Sequence, residues 1–231
     1  MSIPRSHRFA ATLAGLLMAL PARAAAPAPA DDPHAACKAA AAKATAEAAR
    51  PASAQAAPSA ATVSLEDLPL LDQDGKSRRF RSEVVGDRIV VMDFIFTTCT
   101  TICPVLSSKM ARLQERLGDR LGRDVFLVSV SVDPTRDGPA QLLAYSKKWK
   151  AREGWSFLGG EPADVNAVLK GVGAYTANFA NHPPMFLVGD GRSGTWTRLN
   201  GFPEVDQILK QVDTLASARG EKTAALGGSR P

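Results

Sequence analysis

FIFTTCTTICPVLSSKM, Phe94 to Met110, holds two of the chain's three cysteines, four residues apart, between one run that reads as a strand and another that reads as a helix. Upstream, RIVVMDFIF (Arg88–Phe96) is a continuous apolar, β-branched stretch, the pattern of a strand covered on both faces. Downstream, Pro104 to Leu117 carries Val105, Met110, Leu113 and Leu117 at helical spacing. Cys99 and Cys103 therefore stand in or just before a first helical turn, where backbone N–H groups lack partners and the helix dipole is positive. A thiolate there is stabilised and its pKa falls. A separation of four puts both sulfurs on one face, so the pair can close a disulfide or grip one soft ion. Thr97, Thr98, Thr100 and Thr101 fit an exposed loop around them, with turn formation and helix capping as their role.

Working outward, LPLLDQDGKSRRF has the form of two short strands around the Asp74–Gly75 turn. DVFLVSVSV (124–132) is a second buried strand, and Pro139 to Trp149 a helix. WSFLGG is a short strand, and Pro162 to Val172 a helix opened by proline, whose missing N–H costs nothing there. MFLVGDGRSGTWTRLNGF is a hairpin turning through Asp190 to Gly194, and Pro203 to Ala218 is a closing helix. Strands and helices that alternate in this way predict an α/β fold with helices on both faces of one sheet. The late hairpin makes the sheet mixed, as in a thioredoxin-like fold.

Before this domain, Arg5 and Arg8 lead into the short apolar run Phe9–Leu20, and Ala22-Arg23-Ala24 fits a cleavage site. Residues 1–24 thus read as an export signal, its apolar run too short to span a bilayer comfortably. Residues 25–62 are Ala/Pro-rich and carry no periodic large apolar side chains, which reads as a disordered tether; 63–220 is the folded domain and 221–231 a flexible tail. The expected location is periplasmic, peripheral to the membrane at most and tethered only if the signal is retained. Export means an oxidising compartment in which a neighbouring thiol pair can form a disulfide. The formal charge is +5, and loss of Arg5, Arg8 and Arg23 with the signal leaves +2, so the basic pI is no argument for a nucleic-acid partner.

Of three histidines, His7 lies in the signal, His34 in the tether, and only His182 in the domain, in NFANHPPMFLVGDG immediately before the strand Met185–Val188. In a thioredoxin-like sheet the loop before that strand sits beside the cysteine turn, which makes His182 the candidate third ligand. Two thiolates and an imidazole form a soft site suited to Cu(I), and through the imidazole to Cu(II). Zinc would want a fourth protein ligand, or water. Met185 reads as core. The odd thiol, Cys37, lies in the tether with His34 three residues before it. Lys147, Lys148, Lys150 and Arg152 read as a solvated helix end, and Lys76, Arg78, Arg79 and Arg81 as a solvated hairpin.

FIFTTCTTICP (94–104), VSVSVDPTRDGP (128–139) and the His182 loop followed by FLVGDGR together resemble the Sco/SenC family of copper-binding, thioredoxin-like proteins. The likeness covers about residues 65–215. It implies Cys99, Cys103 and His182 as copper ligands. It also implies delivery of copper to, or reduction of, the dinuclear copper centre of cytochrome c oxidase, with the oxidase's copper-bearing subunit or another copper or thiol protein as partner. Asp133 and Asp137 match the family's acidic positions; capping a loop and a helix is their structural reading. HPPMF (182–186) is shorter and stiffer than the family's loop and is similar to the cis-proline loop of thioredoxin-like reductases. The expectation is a metallochaperone rather than an enzyme, with a thiol–disulfide oxidoreductase acting on a partner's cysteines as the alternative.

Overall fold

The computed structural model describes residues 57–227, and side chains as far as residue 220, all within the second of the chain's two compact units, Ala52–Pro231. The signal segment, most of the tether, Cys37 and His34 lie outside the described residues.

Eight strands form one sheet: β1 (Ser59–Ala60), β2 (Pro69–Asp72), β3 (Ser77–Arg79), β4 (Ile89–Ile95), β5 (Val125–Ser131), β6 (Trp155–Gly159), β7 (Met185–Asp190) and β8 (Thr195–Asn200). Their spatial order is β1-β8-β7-β4-β5-β6-β2-β3. β4, β5 and β6 run parallel, while β7 lies antiparallel on the other edge of β4 and turns into β8. The helices are α1 (Ile102–Leu117), α2 (Pro139–Lys148), α3 (Pro162–Gly171) and α4 (Val205–Gly227). The mixed α/β sheet is the one the alternation predicts.

All seven residues of β4 are buried, as its unbroken apolar run requires. Alternation along the strand sorts them between two cores. Ile89, Val91 and Ile95 join Leu106, Met110 and Leu113 of α1, Tyr145 of α2, and Ile208 and Val212 of α4. Val90, Met92 and Phe94 join Leu70, Phe80, and Val165, Val168 and Leu169 of α3. The cysteine pair belongs to the first core.

The boundaries differ in places. α1 begins at Ile102, ahead of Pro104, because the first four N–H groups of a helix have no intrahelical acceptor and a proline there removes nothing. α4 starts at Val205 and runs to Gly227. β1 lies inside the stretch assigned to the tether: Ser59 and Ala60 pair with Arg198 and Thr197 of β8. Two small residues held by main-chain bonds leave no apolar signature. The described peptide bonds are all trans, so the likeness of HPPMF to a cis-proline loop is not realised. Among the described residues, no helix is long and apolar enough to cross a membrane.

Candidate metal and thiol site

β4 delivers the chain into a tight turn, Cys99 N–H donating to the Phe96 carbonyl at 3.1 Å, and α1 starts three residues later. Cys103 is the second residue of α1, and its N–H donates to Cys99 Sγ at 3.3 Å. The unpaired N–H groups of the helix start are thus aimed at Cys99. The Thr101 hydroxyl stands 3.9 Å from the same sulfur. Thr101 occupies the N-cap but makes no side-chain cap bond, so the capping expected of the threonines does not occur there. Thr97 is committed elsewhere: its N–H and hydroxyl donate to Asp137 at 3.0 and 2.5 Å. Ser131 at the end of β5 donates to the same carboxylate at 2.7 Å. Asp133 accepts from Thr135 at 2.8 Å and from Arg136 at 3.0 Å. Asp133 and Asp137 therefore brace the loop after β5 and tie it to the cysteine turn; the loop role is as expected, but neither caps α2, which has no side-chain cap bond.

Both cysteines are free thiols and nearly inaccessible, Cys99 at 6% and Cys103 at 2% exposure, so the pair lies deeper than a polar loop suggests. Their acidities diverge. Burial opposes ionisation of Cys99, but donation from the Cys103 thiol and N–H, and from Thr101, outweighs it and holds the Cys99 pKa below the ordinary thiol value. Burial raises the Cys103 pKa, and the Cys99 hydrogen bond and the nearby charges of Cys99 and Asp93 raise it further. The expectation of two stabilised thiolates holds for Cys99 and fails for Cys103, whose sulfur is the donor rather than the acceptor at the helix start. The result is an ordered pair, a readily ionised sulfur backed by a protonated one.

His182 ends a short 3-10 turn, Phe179–Asn181, its N–H donating to the Phe179 carbonyl at 3.1 Å. Its ring is buried at 4% exposure against Phe94, with centroids 5.6 Å apart. Phe94 belongs to the core on the far face of the sheet from the cysteines. Burial lowers the imidazole pKa to about 4, only partly opposed by a hydrogen bond to the Ala174 backbone, and Nε2 has no hydrogen-bond partner. The ring is therefore neutral at pH 7, with an uncommitted nitrogen. Among the described residues, no three His, Cys, Asp or Glu side chains are gathered closely enough to hold a metal ion. The structure brings Cys99 and Cys103 together and leaves His182 turned into the other core. Arg136 links the two regions: it pairs with Asp133 and lies over the Phe179 ring at 5.4 Å, while Phe179 meets Phe96 edge-on at 5.1 Å.

Met185 is core, as read. The basic stretch is exposed at Lys147, Lys148 and Lys150, as read, with the Lys148 ammonium 5.5 Å over the Trp149 ring. Sequence reading missed Asp93. It is fully buried in β4, accepting from Ser129 at 2.5 Å, and the signal was a single carboxylate inside RIVVMDFIF.

Comparison with known proteins finds a match of residues 57–215 to the SCO1/SenC family model. The SCO1 protein homolog of Bacillus subtilis (strain 168) is 36% identical over 97 residues, which are 42% of this chain and 49% of that protein. The chain thus spans about half the length of the curated relatives it matches. The solved structure of BsSco, described as a member of the Sco family of cytochrome c oxidase assembly proteins with a disulfide switch, superposes with a TM-score of 0.58 at 27% identity, covering 69% of this chain and 96% of that one. Copper-bound ScoI of Arabidopsis thaliana shares the fold, with a TM-score of 0.56 at 22% identity over 68% of this chain and 99% of that one.

Proposed function

The chain belongs to the SCO1/SenC family, and on that footing we propose that it is an exported copper chaperone that carries one copper ion on Cys99, Cys103 and His182 for the dinuclear copper centre of cytochrome c oxidase. The observation that carries the reading is the thiol pair at the start of α1, where Cys99 Sγ already accepts from the helix N-terminus in the manner of a thiolate. A soft dithiolate suits Cu(I), and the free Nε2 of His182 supplies the nitrogen that Cu(II) prefers. Bringing that nitrogen to the sulfurs requires the ring to leave Phe94, so loading with Cu(II) entails movement of the loop that carries Phe179 to His182. Copper in a relative of this fold and cytochrome c oxidase assembly in another support the cargo and the partner. Residues 1–24 act as the export signal and the Ala/Pro-rich segment between them and β1 as a tether that leaves the domain in the periplasm, peripheral to the membrane. Titration of the reduced full chain with copper, with and without His182, tests the proposal. One tightly held copper per chain is expected, and wild-type affinity in Cys99→Ser or Cys103→Ser would end the reading.

A second reading, thiol–disulfide exchange on a partner's cysteines, is favoured by the divergent acidities of the pair. A low-pKa sulfur that attacks and a buried thiol that resolves are what such exchange needs. The two readings are compatible, since copper loading requires reduced thiols.

A further inference from the structure

Two basic stretches that are far apart in the chain meet at the end of the sheet opposite the thiols. Cys99 and Cys103 follow the C-terminal end of β4, and β4, β5 and β6 run parallel, so the connection from α2 into the start of β6 lies at the other end. That connection carries Lys147, Lys148, Lys150 and Arg152, all exposed. The β2–β3 hairpin turns at the same end: β2 runs antiparallel to β6, and Gln73, just past β2, accepts the Phe157 N–H at 2.9 Å. The hairpin adds exposed Lys76 and Arg78, and one cleft lined by Arg78, Lys147 and Arg152 joins the two stretches. Carboxylates do not neutralise this surface. Arg78 pairs with the buried Asp72 at 3.1 Å, and Asp74 and Glu153 are the exposed acids of the cleft. Among the described residues, none of these lysines has a carboxylate partner. The negative C-terminus of α2 accounts for Lys147 and Lys148 in its last turn. It does not account for Lys150 and Arg152 past the helix end, nor for Lys76 on another element.

We propose that this end of the domain is a docking surface for an anionic lipid membrane, on which the domain settles with its thiol end facing away and free to meet a partner. What decides for lipid over an acidic protein is the lack of an apolar anchor. Among the described residues, the large apolar side chains left exposed are Val105, two residues past Cys103, and Tyr175, on the loop leading to His182. Neither is on the cationic surface, and Trp149 within it is half-buried with its indole nitrogen inside. Protein interfaces draw most of their affinity from aromatic and aliphatic anchors that become buried. A layer of anionic headgroups needs none, because each Lys or Arg brought near it adds a similar increment of attraction. The proposal deepens the peripheral location given above and rests on the export reading for which membrane is met; the surface itself sets that the domain is held and how it is turned.

Flotation of the full chain with lipid vesicles tests it. Binding to phosphatidylcholine vesicles carrying about one-third phosphatidylglycerol should exceed binding to pure phosphatidylcholine at least about tenfold, and the excess should vanish between about 0.05 and about 0.5 M salt. Lys147→Glu with Lys150→Glu should cut the excess at least about tenfold. Arg112→Glu with Lys210→Glu, an equal change in net charge at exposed sites on α1 and α4, should alter it less than about twofold. Should the first pair fold poorly, Lys147→Gln with Lys150→Gln is read in its place, with a loss of at least about threefold expected. Equal losses from both pairs would make the attraction one of net charge and overturn the proposal. Binding as strong on neutral vesicles, or unmoved by the patch substitutions, would assign it to the apolar run Phe9–Leu20 and overturn it as well. No excess on anionic vesicles would overturn it and return the surface to an acidic protein partner. Vesicles carry no information on compartment, so each of these failures leaves the export reading intact; that reading is tested separately, by the N-terminus of the chain recovered from cells.

Discussion

The two faces of β4 solve opposite problems with adjacent residues. Asp93 points into the core that holds the cysteines, and Phe94, the next residue, packs into the other core against His182. Each face buries a titratable group with an unpartnered atom, among them Asp93 Oδ2 on one side and His182 Nε2 on the other. They differ in what carries them. Asp93 is fixed in a central strand paired on both edges, whereas His182 rides on a loop through a short 3-10 turn. The fixed group stays where the sheet puts it. The loop-borne one can leave, giving up its packing on Phe94 and its hydrogen bond to the Ala174 backbone when it does.

Copper should break this symmetry most strongly. Cys99→Ser and Cys103→Ser are each expected to weaken Cu(I) by more than about 100-fold, beyond the ~10–100-fold typical of an outer-shell change. Competition with bicinchoninate measures it. His182→Ala should spare most of the Cu(I) affinity, weaken Cu(II), and remove nitrogen hyperfine coupling from the Cu(II) paramagnetic resonance spectrum. An unchanged Cu(II) spectrum would make the histidine a bystander held permanently on its own face. In air and without copper, peptide mapping should find Cys99 linked to Cys103 and Cys37 outside that bond.

Acid titration sharpens the comparison, because the two buried groups respond with opposite sign. Burial raises the Asp93 pKa from 3.8 to about 7, so the folded chain keeps a proton that the unfolded chain has lost across that window. Its contribution is full below about pH 4 and is lost as pH rises through 7, at most ~4 kcal/mol. For His182 the pKa falls from 6.5 to about 4, so its contribution is present above pH 6.5 and is lost as pH drops through 4, at most ~3 kcal/mol. Between pH 4 and 6.5 the two partly cancel. Denaturant melts of Asp93→Asn should show a stability gain of ~1–3 kcal/mol at pH 8 and a steeper loss toward pH 4, where the histidine acts alone. A loss of stability at pH 8 would mean the carboxylate is a structural requirement of β4.

How much of this was legible follows from what each feature depends on. The sheet was readable because β4, β5 and β7 are apolar runs, and α2 and α3 begin at prolines. The cysteine turn was readable because its chemistry is local: four residues and a helix start suffice. β1 was not, since Ser59 and Ala60 are held by main-chain bonds that any side chain permits. Nor was the partition of acidity, since Cys103 owes its raised pKa first to burial, which only the packing decides, and then to its hydrogen bond with Cys99. His182 was located correctly at the loop before β7, but the direction of its ring depends on the space beside Phe94, which packing alone decides.

The smallest expected effect tests what keeps the histidine on its face. Arg136 has a mostly exposed side chain, paired with the buried Asp133 and lying 5.4 Å over Phe179, three residues before His182. An exposed cation–π contact is worth about 0.5–1 kcal/mol, and an ion pair of this exposure adds about as much at most. Arg136→Ala should therefore cost only ~1 kcal/mol of global stability. Its local effect should be larger, because the 3-10 turn has few other anchors: Asn178 accepts from Ala180 N–H, and Phe179 touches Phe96. Amide exchange across residues 176–184 should quicken severalfold, while α1, anchored in the cysteine-side core, should exchange as in the wild type. If the ring must leave Phe94 to reach copper, the same substitution should speed Cu(II) uptake without changing the final spectrum. Slower uptake would show instead that Arg136 guides the loop toward the thiols, and that the two faces are joined by the arginine rather than kept apart by it.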